Sequence, residues 1–197
     1  MTHPTLGGVS INGKTVAGAY HAGHRIGLTR GNTLLLPSGR NLMPCGPVKD
    51  IGRRISISIN ADGGLRVLFH ANTRAWDSVM WQSRIADLGL SPGQTITLSL
   101  PSNESITPGF FLSMGLHRED GSNIDSTGSI GDPNVTWLTK TITSDTAIIE
   151  VQFFNGVVPS NDVLMDLHPQ LEVGDSPSAW EPPTAYRTDG YLRRDYS

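Results

Sequence analysis

Residues 55–69 read Ile55-Ser56-Ile57-Ser58-Ile59-Asn60-Ala61-Asp62-Gly63-Gly64-Leu65-Arg66-Val67-Leu68-Phe69. Isoleucine alternates with serine in the first five positions, and Leu65, Val67 and Phe69 repeat the alternation in the last five. A period of two puts every second side chain on one face of an extended strand, leaving the other face for water. Between the two runs, Asp62 can bond the backbone ahead of it and the glycines supply positive φ. The stretch predicts an antiparallel hairpin with one apolar face.

The same pattern recurs outward from it. Ile96, Leu98 and Leu100 follow the turn Ser91-Pro92-Gly93, and Phe110, Leu112, Met114 and Leu116 run up to Asp120-Gly121. Ile149, Val151 and Phe153 precede Asn155-Gly156, and Val163, Met165 and Leu167 form the last full strand. Only Arg84 to Leu90 hints at a helical turn, which Gly89 would stop. Antiparallel sheets with one wet face bury their apolar faces on each other. The expected fold is therefore all-β, a jelly-roll-like antiparallel β-sandwich over residues 41–183, with these aliphatic and aromatic side chains as its core.

The first forty residues differ. Val9-Ser10-Ile11 and Lys14-Thr15-Val16 flank Asn12-Gly13, a pair that tolerates the positive φ of a two-residue hairpin loop. A second hairpin is expected around Ala22-Gly23, with Ala19-Tyr20-His21 opposite Arg25-Ile26. An isolated hairpin is marginal in water. Residues 1–40 are thus expected to be an assembly or anchoring arm whose contacts come from Val9, Ile11, Val16, Tyr20 and Ile26. Residues 29–40 read as a linker, and residues 184–197 as a C-terminal tail.

Composition narrows the function classes. Of 197 residues only 17% are charged and 37% hydrophobic, so with 22 Gly and 13 Pro the polarity comes from small uncharged residues. That suits short strands and tight turns. A net charge of −3 and a pI near 6.0 give no electrostatic footprint for nucleic acid or an anionic membrane. No apolar run approaches a membrane span. The opening MTHPTLGGVS has neither the basic region nor the apolar stretch of a secretory signal, so synthesis in a cytoplasm is expected. A single cysteine, Cys45, excludes an internal disulfide framework.

Three motifs carry a resemblance. Asn41-Leu42-Met43-Pro44 resembles the opening of carbohydrate-binding-module-like domains in phage tail and baseplate proteins, and 90–99 (LSPGQTITLS) resembles one of their strands. Residues 169–182 (PQLEVGDSPSAWEP) are similar to their closing segment. Residues 8–26 resemble, more loosely, short segments of actinobacterial phage minor tail proteins. The resemblance implies a virion structural protein, a minor tail or tail-tip component synthesised in the host cytoplasm. It also implies other tail proteins and a host-surface glycan as partners, and a trimeric or ring-like homo-oligomer. Calcium occurs in the wider sandwich family but has no motif here. Physically, Leu171 is expected in the core with Gln170 and Glu172 facing outward, and Trp180 as a lid over the sandwich edge.

No sequence pattern for catalysis is present. GxSxG, HExxH and a phosphate-cradling glycine loop are all lacking, and Glu119, Asp120, Asp125, Asp132 and Glu150 have no evident convergence. His21 and His24 flank a turn, a spacing that reads as polar surface rather than a metal site; His70, His117 and His168 fall at strand ends. Glycan binding is the sharper expectation, because a pyranose has an apolar face that stacks on an aromatic ring and a rim that hydrogen-bonds. The candidates are Trp76, Trp81, Arg74, Asp77 and Gln82, with Trp137 as a third ring. Trp76 and Trp81 lie five positions apart, so on one strand they face opposite ways and one of them is core. An adhesion module with no assembly role is the alternative reading.

Overall fold

A computed structural model of the chain describes the strand backbones within 7–35 and Asp50, and backbone plus side chains of residues 41–43, 51–132 and 135–183. Four strands come first: β1 (Gly7–Ile11), β2 (Lys14–His21), β3 (His24–Arg30) and β4 (Thr33–Leu35). They pair in sequence order as an antiparallel meander, with Val9 opposite Val16 and Tyr20 opposite Arg25. Both expected hairpins are present. The segment read as a linker contains β4, because Thr33, Leu34 and Leu35 pair with the free edge of β3. The turn residues Asn12-Gly13 and Ala22-Gly23, and the side chains of Val9, Ile11, Val16, Tyr20 and Ile26, lie outside the described residues, as do Cys45 and 184–197.

Eleven further strands follow: β5 (Asp50–Ile51), β6 (Ile55–Ile59), β7 (Leu65–Phe69), β8 (Ser78–Arg84), β9 (Thr95–Ser99), β10 (Phe110–His117), β11 (Asn123–Asp125), β12 (Trp137–Thr141), β13 (Ile148–Asn155), β14 (Val163–Leu167) and β15 (Gln170–Val173). One layer is a five-stranded antiparallel sheet in the order β11-β10-β13-β8-β5. The other consists of two three-stranded sheets, β12-β9-β15 and β14-β7-β6. The hairpin predicted over 55–69 is β6–β7, with Ile57 opposite Val67 and Gly63 at φ 101° in the turn. Arg84 to Leu90 makes a turn only, with Gly89 at φ 65°.

Alternation fills the core as expected. Ile55, Val67, Phe69, Ile96, Leu98, Leu112, Met114, Ile149, Val151 and Phe153 are essentially solvent-free. Phe69 of β7 meets Phe110 of β10 edge to face at 4.9 Å, one contact that joins the layers.

The two halves of the second layer are joined by one bent run of chain. β14 leads into β15 through His168-Pro169, and Pro169 has no N–H to continue a ladder. Asn41 supplies what the backbone lacks there. Its amide nitrogen donates to the Pro169 carbonyl at 3.1 Å, and its oxygen accepts from the Leu171 N–H at 3.2 Å.

Here the sequence expectation needs correction. Leu171 is core, and Gln170 and Glu172 do point the other way, yet both are buried. The closing segment folds back over them: Glu172 accepts from the Ser178 N–H and hydroxyl at 2.8 and 2.6 Å. The Glu181 N–H donates to Gln170 Oε1 at 2.8 Å, and Asn41 also reaches the Glu181 carbonyl at 2.8 Å. The opening and closing motifs are thus parts of one polar latch.

Candidate functional site

β10 and β13 each carry a doubled phenylalanine, Phe110-Phe111 and Phe153-Phe154. On a strand, one of each pair must face away from the core. Phe110 and Phe153 are buried, which turns Phe111 and Phe154 outward, and the register sets these two directly opposite each other. Their rings stack with centroids 5.1 Å apart. Trp76, just before β8, stacks on Phe154 in turn, with centroids 5.9 Å apart and planes 23° from parallel. Trp76 is the outermost plate of the stack and is 71% exposed.

Its backbone is held in a conformation rarely adopted by a bulky residue. Trp76 has φ 69°, and Asn72 in the same loop has φ 62°. Left-handed backbone at a non-glycine residue costs about 1–3 kcal/mol and persists only where its surroundings impose it. The surroundings are identifiable. The Trp76 N–H donates to the Asn155 carbonyl at 2.6 Å. The buried Asn155 side chain donates to the Arg74 carbonyl at 3.0 Å and to the Val157 carbonyl at 2.7 Å. Thr73, also buried, donates its hydroxyl to the Arg54 carbonyl at 3.0 Å and the His70 carbonyl at 2.6 Å. A rigid loop therefore presents one tryptophan to solvent.

The predicted site residues separate. Trp81 is 1% exposed and packs edge to face on Phe153, so it is the core member of the tryptophan pair and has no surface for a ligand. Arg74 is exposed and flanks Trp76; Asp77 is half-buried against Gly52. Gln82 lies further along β8, opposite Glu150, whose carboxylate accepts its amide at 2.7 Å. It does not join the tryptophan. Trp137 is 40% exposed on β12, which belongs to the opposite layer. The sequence did not mark Phe111 or Phe154, and it marked Asn155 only as a turn residue. The phenylalanine doublets were a usable signal, since an alternating strand cannot bury both members.

The acidic residues and histidines are engaged separately. Glu119 pairs with Arg84 at 2.5 Å and Asp125 with Lys140 at 2.7 Å, while Asp120 accepts the Ser122 N–H at 2.8 Å. His117 lies 3.6 Å from Glu150, with neither ring nitrogen hydrogen-bonded. His168 is more than a half-exposed strand-end imidazole: it bridges Glu104 and Asp62 (the latter at 3.0 Å) beneath the ring of Trp180. Trp180 is thus a lid, as expected, but over the His168 bridge to Asp62 and Glu104. His21 and His24 are direct cross-strand neighbours at the end of the β2–β3 hairpin, their side chains outside the described residues. Among the described residues no three histidine, cysteine or acidic side chains gather as a metal site would require.

No protein-family model matches the sequence, and no curated protein matches it. Among solved structures, one of accessory secretory protein 1, 2 and 3 in Streptococcus pneumoniae is similar over 72% of this chain and 100% of the compared chain, at 14% identity and TM-score 0.44. The enzymatically active domain of tailspike protein 4 of bacteriophage CBA120 is similar over 68% and 20%, at 13% identity and TM-score 0.40. The CBM22-1 xylan-binding domain of Paenibacillus barcinonensis Xyn10C is similar over 62% and 83%, at 9% identity and TM-score 0.35. At these identities and TM-scores none of them says what this chain binds.

Proposed function

We propose that the sandwich is a non-catalytic glycan-binding module that stacks a sugar ring on the free face of Trp76. The observation that supports this is the presentation of that side chain. An exposed tryptophan costs hydrophobic free energy, and a left-handed backbone adds strain, yet Asn155, Thr73 and two stacked phenylalanines hold it in place. A ring that only filled the core would need none of this. Expected on a glycan array is binding to a limited set of saccharides that Trp76→Ala abolishes and Trp137→Ala leaves intact. Binding unchanged in Trp76→Ala would sink the reading.

Within that reading, the chain acts as a minor tail or tail-tip component of a phage, held to its neighbours and to copies of itself through the strands of residues 1–40. This placement rests on the motif resemblance at 41–44, 90–99 and 169–182 and on the meander β1–β4. Deletion of residues 1–40 is expected to lower the oligomeric state in light scattering and to block incorporation into virions, with glycan binding per sandwich retained. A deletion variant that still assembles normally would leave the adhesion-module alternative.

A further inference from the structure

The cations of the sandwich are unevenly spent. Arg66, Arg84 and Lys140 meet Asp166, Glu119 and Asp125 at 2.8, 2.5 and 2.7 Å, and Arg118 lies 3.7 Å from Asp145. The remaining described arginines are Arg53, Arg54 and Arg74. All three are exposed, and among the described residues none forms an ion pair or side-chain hydrogen bond.

The segments that carry them are neighbours. The turn holding Arg53 and Arg54 and the loop holding Arg74 and Trp76 are stitched together. The Arg54 carbonyl accepts from Thr73 and from the His70 N–H, and the Gly52 N–H donates to the Ser78 carbonyl at 2.8 Å. Gly52 packs so closely on Asp77 that a side chain there would touch its Cβ at 3.0 Å. Two acids share this corner and offset part of the patch: Asp162, held below its ordinary pKa first by the Ala71 N–H and also by His70 and Arg54, and the half-buried Asp77. Three arginines still outnumber two carboxylates.

We infer that the Trp76 corner is built for an anionic glycan, a sugar bearing a carboxylate or a phosphate that Arg53, Arg54 and Arg74 receive while the ring stacks on Trp76. This rests on the glycan-binding reading and deepens it. Guanidinium groups are planar, permanently charged and weakly hydrated, so they suit carboxylate and phosphate oxygens better than they suit neutral hydroxyls. In a protein of net charge −3, three arginines against two carboxylates on the segments around one exposed tryptophan also concentrate the attraction for an anion at a single corner.

The test is an array of matched pairs: uronate oligosaccharides beside their carboxyl-reduced forms, and phosphodiester-linked sugar oligomers beside their dephosphorylated forms. Acidic members are expected to bind at least tenfold more tightly than their neutral partners, with the preference shrinking between 50 and 500 mM salt. Arg53→Gln/Arg54→Gln/Arg74→Gln should remove the preference at unchanged Tm, whereas Trp76→Ala should remove binding of both members. Preference for uronates or for phosphodiesters identifies which oxyanion is the ligand. Neutral members binding as tightly as acidic ones would overturn the anionic assignment and leave glycan binding standing. If no saccharide binds at all, both readings fall.

Discussion

Asn155 presents a single amide nitrogen to the backbone carbonyls of Arg74 and Val157, and its own oxygen has no partner. It acts purely as a donor, fully buried, at the point where β13 hands over to the loop behind Trp76. Truncation to alanine leaves two part-buried acceptors without their donor, a loss of about 1–2 kcal/mol. A carboxylate is worse, because it would face the same carbonyls with a negative charge. Urea unfolding at pH 7 is therefore expected to rank wild type above Asn155→Ala, and Asn155→Ala above Asn155→Asp. Equal stability of the three would show that the amide does not anchor the loop. Asn155-Gly156 had a simpler reading in the sequence, as a turn closing a strand. The side-chain role was invisible there because both of its partners are backbone carbonyls, which every residue possesses.

At the scale of the elements, the edges of the sandwich show how the layers are closed. β11 borders the five-stranded sheet and β12 borders one of the three-stranded sheets. Lys140 of β12, almost wholly buried, reaches Asp125 of β11 and also donates to the Thr127 carbonyl at 3.1 Å. The Lys140 ammonium, together with the Thr127 N–H, holds the Asp125 carboxyl at about 2, below its ordinary 3.8. A depressed carboxyl pKa contributes stability that is present above pH 3.8 and lost as pH falls towards 2. Asp125 is more than a third exposed, so solvent screening trims the contribution. Lys140→Met keeps the buried stem and removes the charge. Its Tm is expected to fall less steeply than that of wild type between pH 4 and pH 2. Parallel curves for the two proteins would assign the acid sensitivity elsewhere.

Alternation located β6, β7, β9, β10, β13 and β14, since a half-buried strand must obey a period of two, but it did not mark β5, β8, β11 or β12. It misjudged burial on β9, where Thr97 and Ser99 are as buried as Ile96 and Leu98. That burial comes from chain distant in sequence: the Thr97 hydroxyl donates to the Gly174 carbonyl at 2.8 Å. Gln170 and Glu172 escaped for the same reason. A polar side chain on the wet face looks exposed until another segment lies across it.

For the whole molecule, the decisive joint is the bend at His168-Pro169. His168 ties the β6–β7 turn, through Asp62, to the segment between β9 and β10, through Glu104, and Trp180 closes over it with ring centroids 4.7 Å apart. Burial alone would lower the imidazole pKa, but the hydrogen bonds to Asp62 and Glu104 outweigh it and raise the value above its ordinary 6.5. A raised histidine pKa means stability fully present below about pH 6.5 and lost as pH climbs through the folded-state value. Asp62 works in the opposite window. Its pKa is lowered by His168 first and by the Gly64 N–H second, so its share is lost as pH falls below 3.8. Wild type should lose on the order of a few degrees in Tm as pH rises from 6 to 9, and His168→Gln should show a flatter profile. A wild-type Tm independent of pH over that range would mean that the bridge carries no charge.

By itself, the sequence determined the fold class, the hairpins and the identity of most of the core. These follow from local rules: a strand alternates, glycine permits positive φ, and apolar side chains leave water. Only the tertiary structure decided that Trp76 lies in a loop off the strand of Trp81 and is exposed, that Phe154 and Phe111 back it, and that the turn holding Arg53 and Arg54 is stitched to its loop. Those relations depend on register across β8, β13 and β10 and on a loop fixed by a distant asparagine. Register and loop placement arise from the sum of many weak contacts between segments far apart in sequence, and no short stretch of residues contains them.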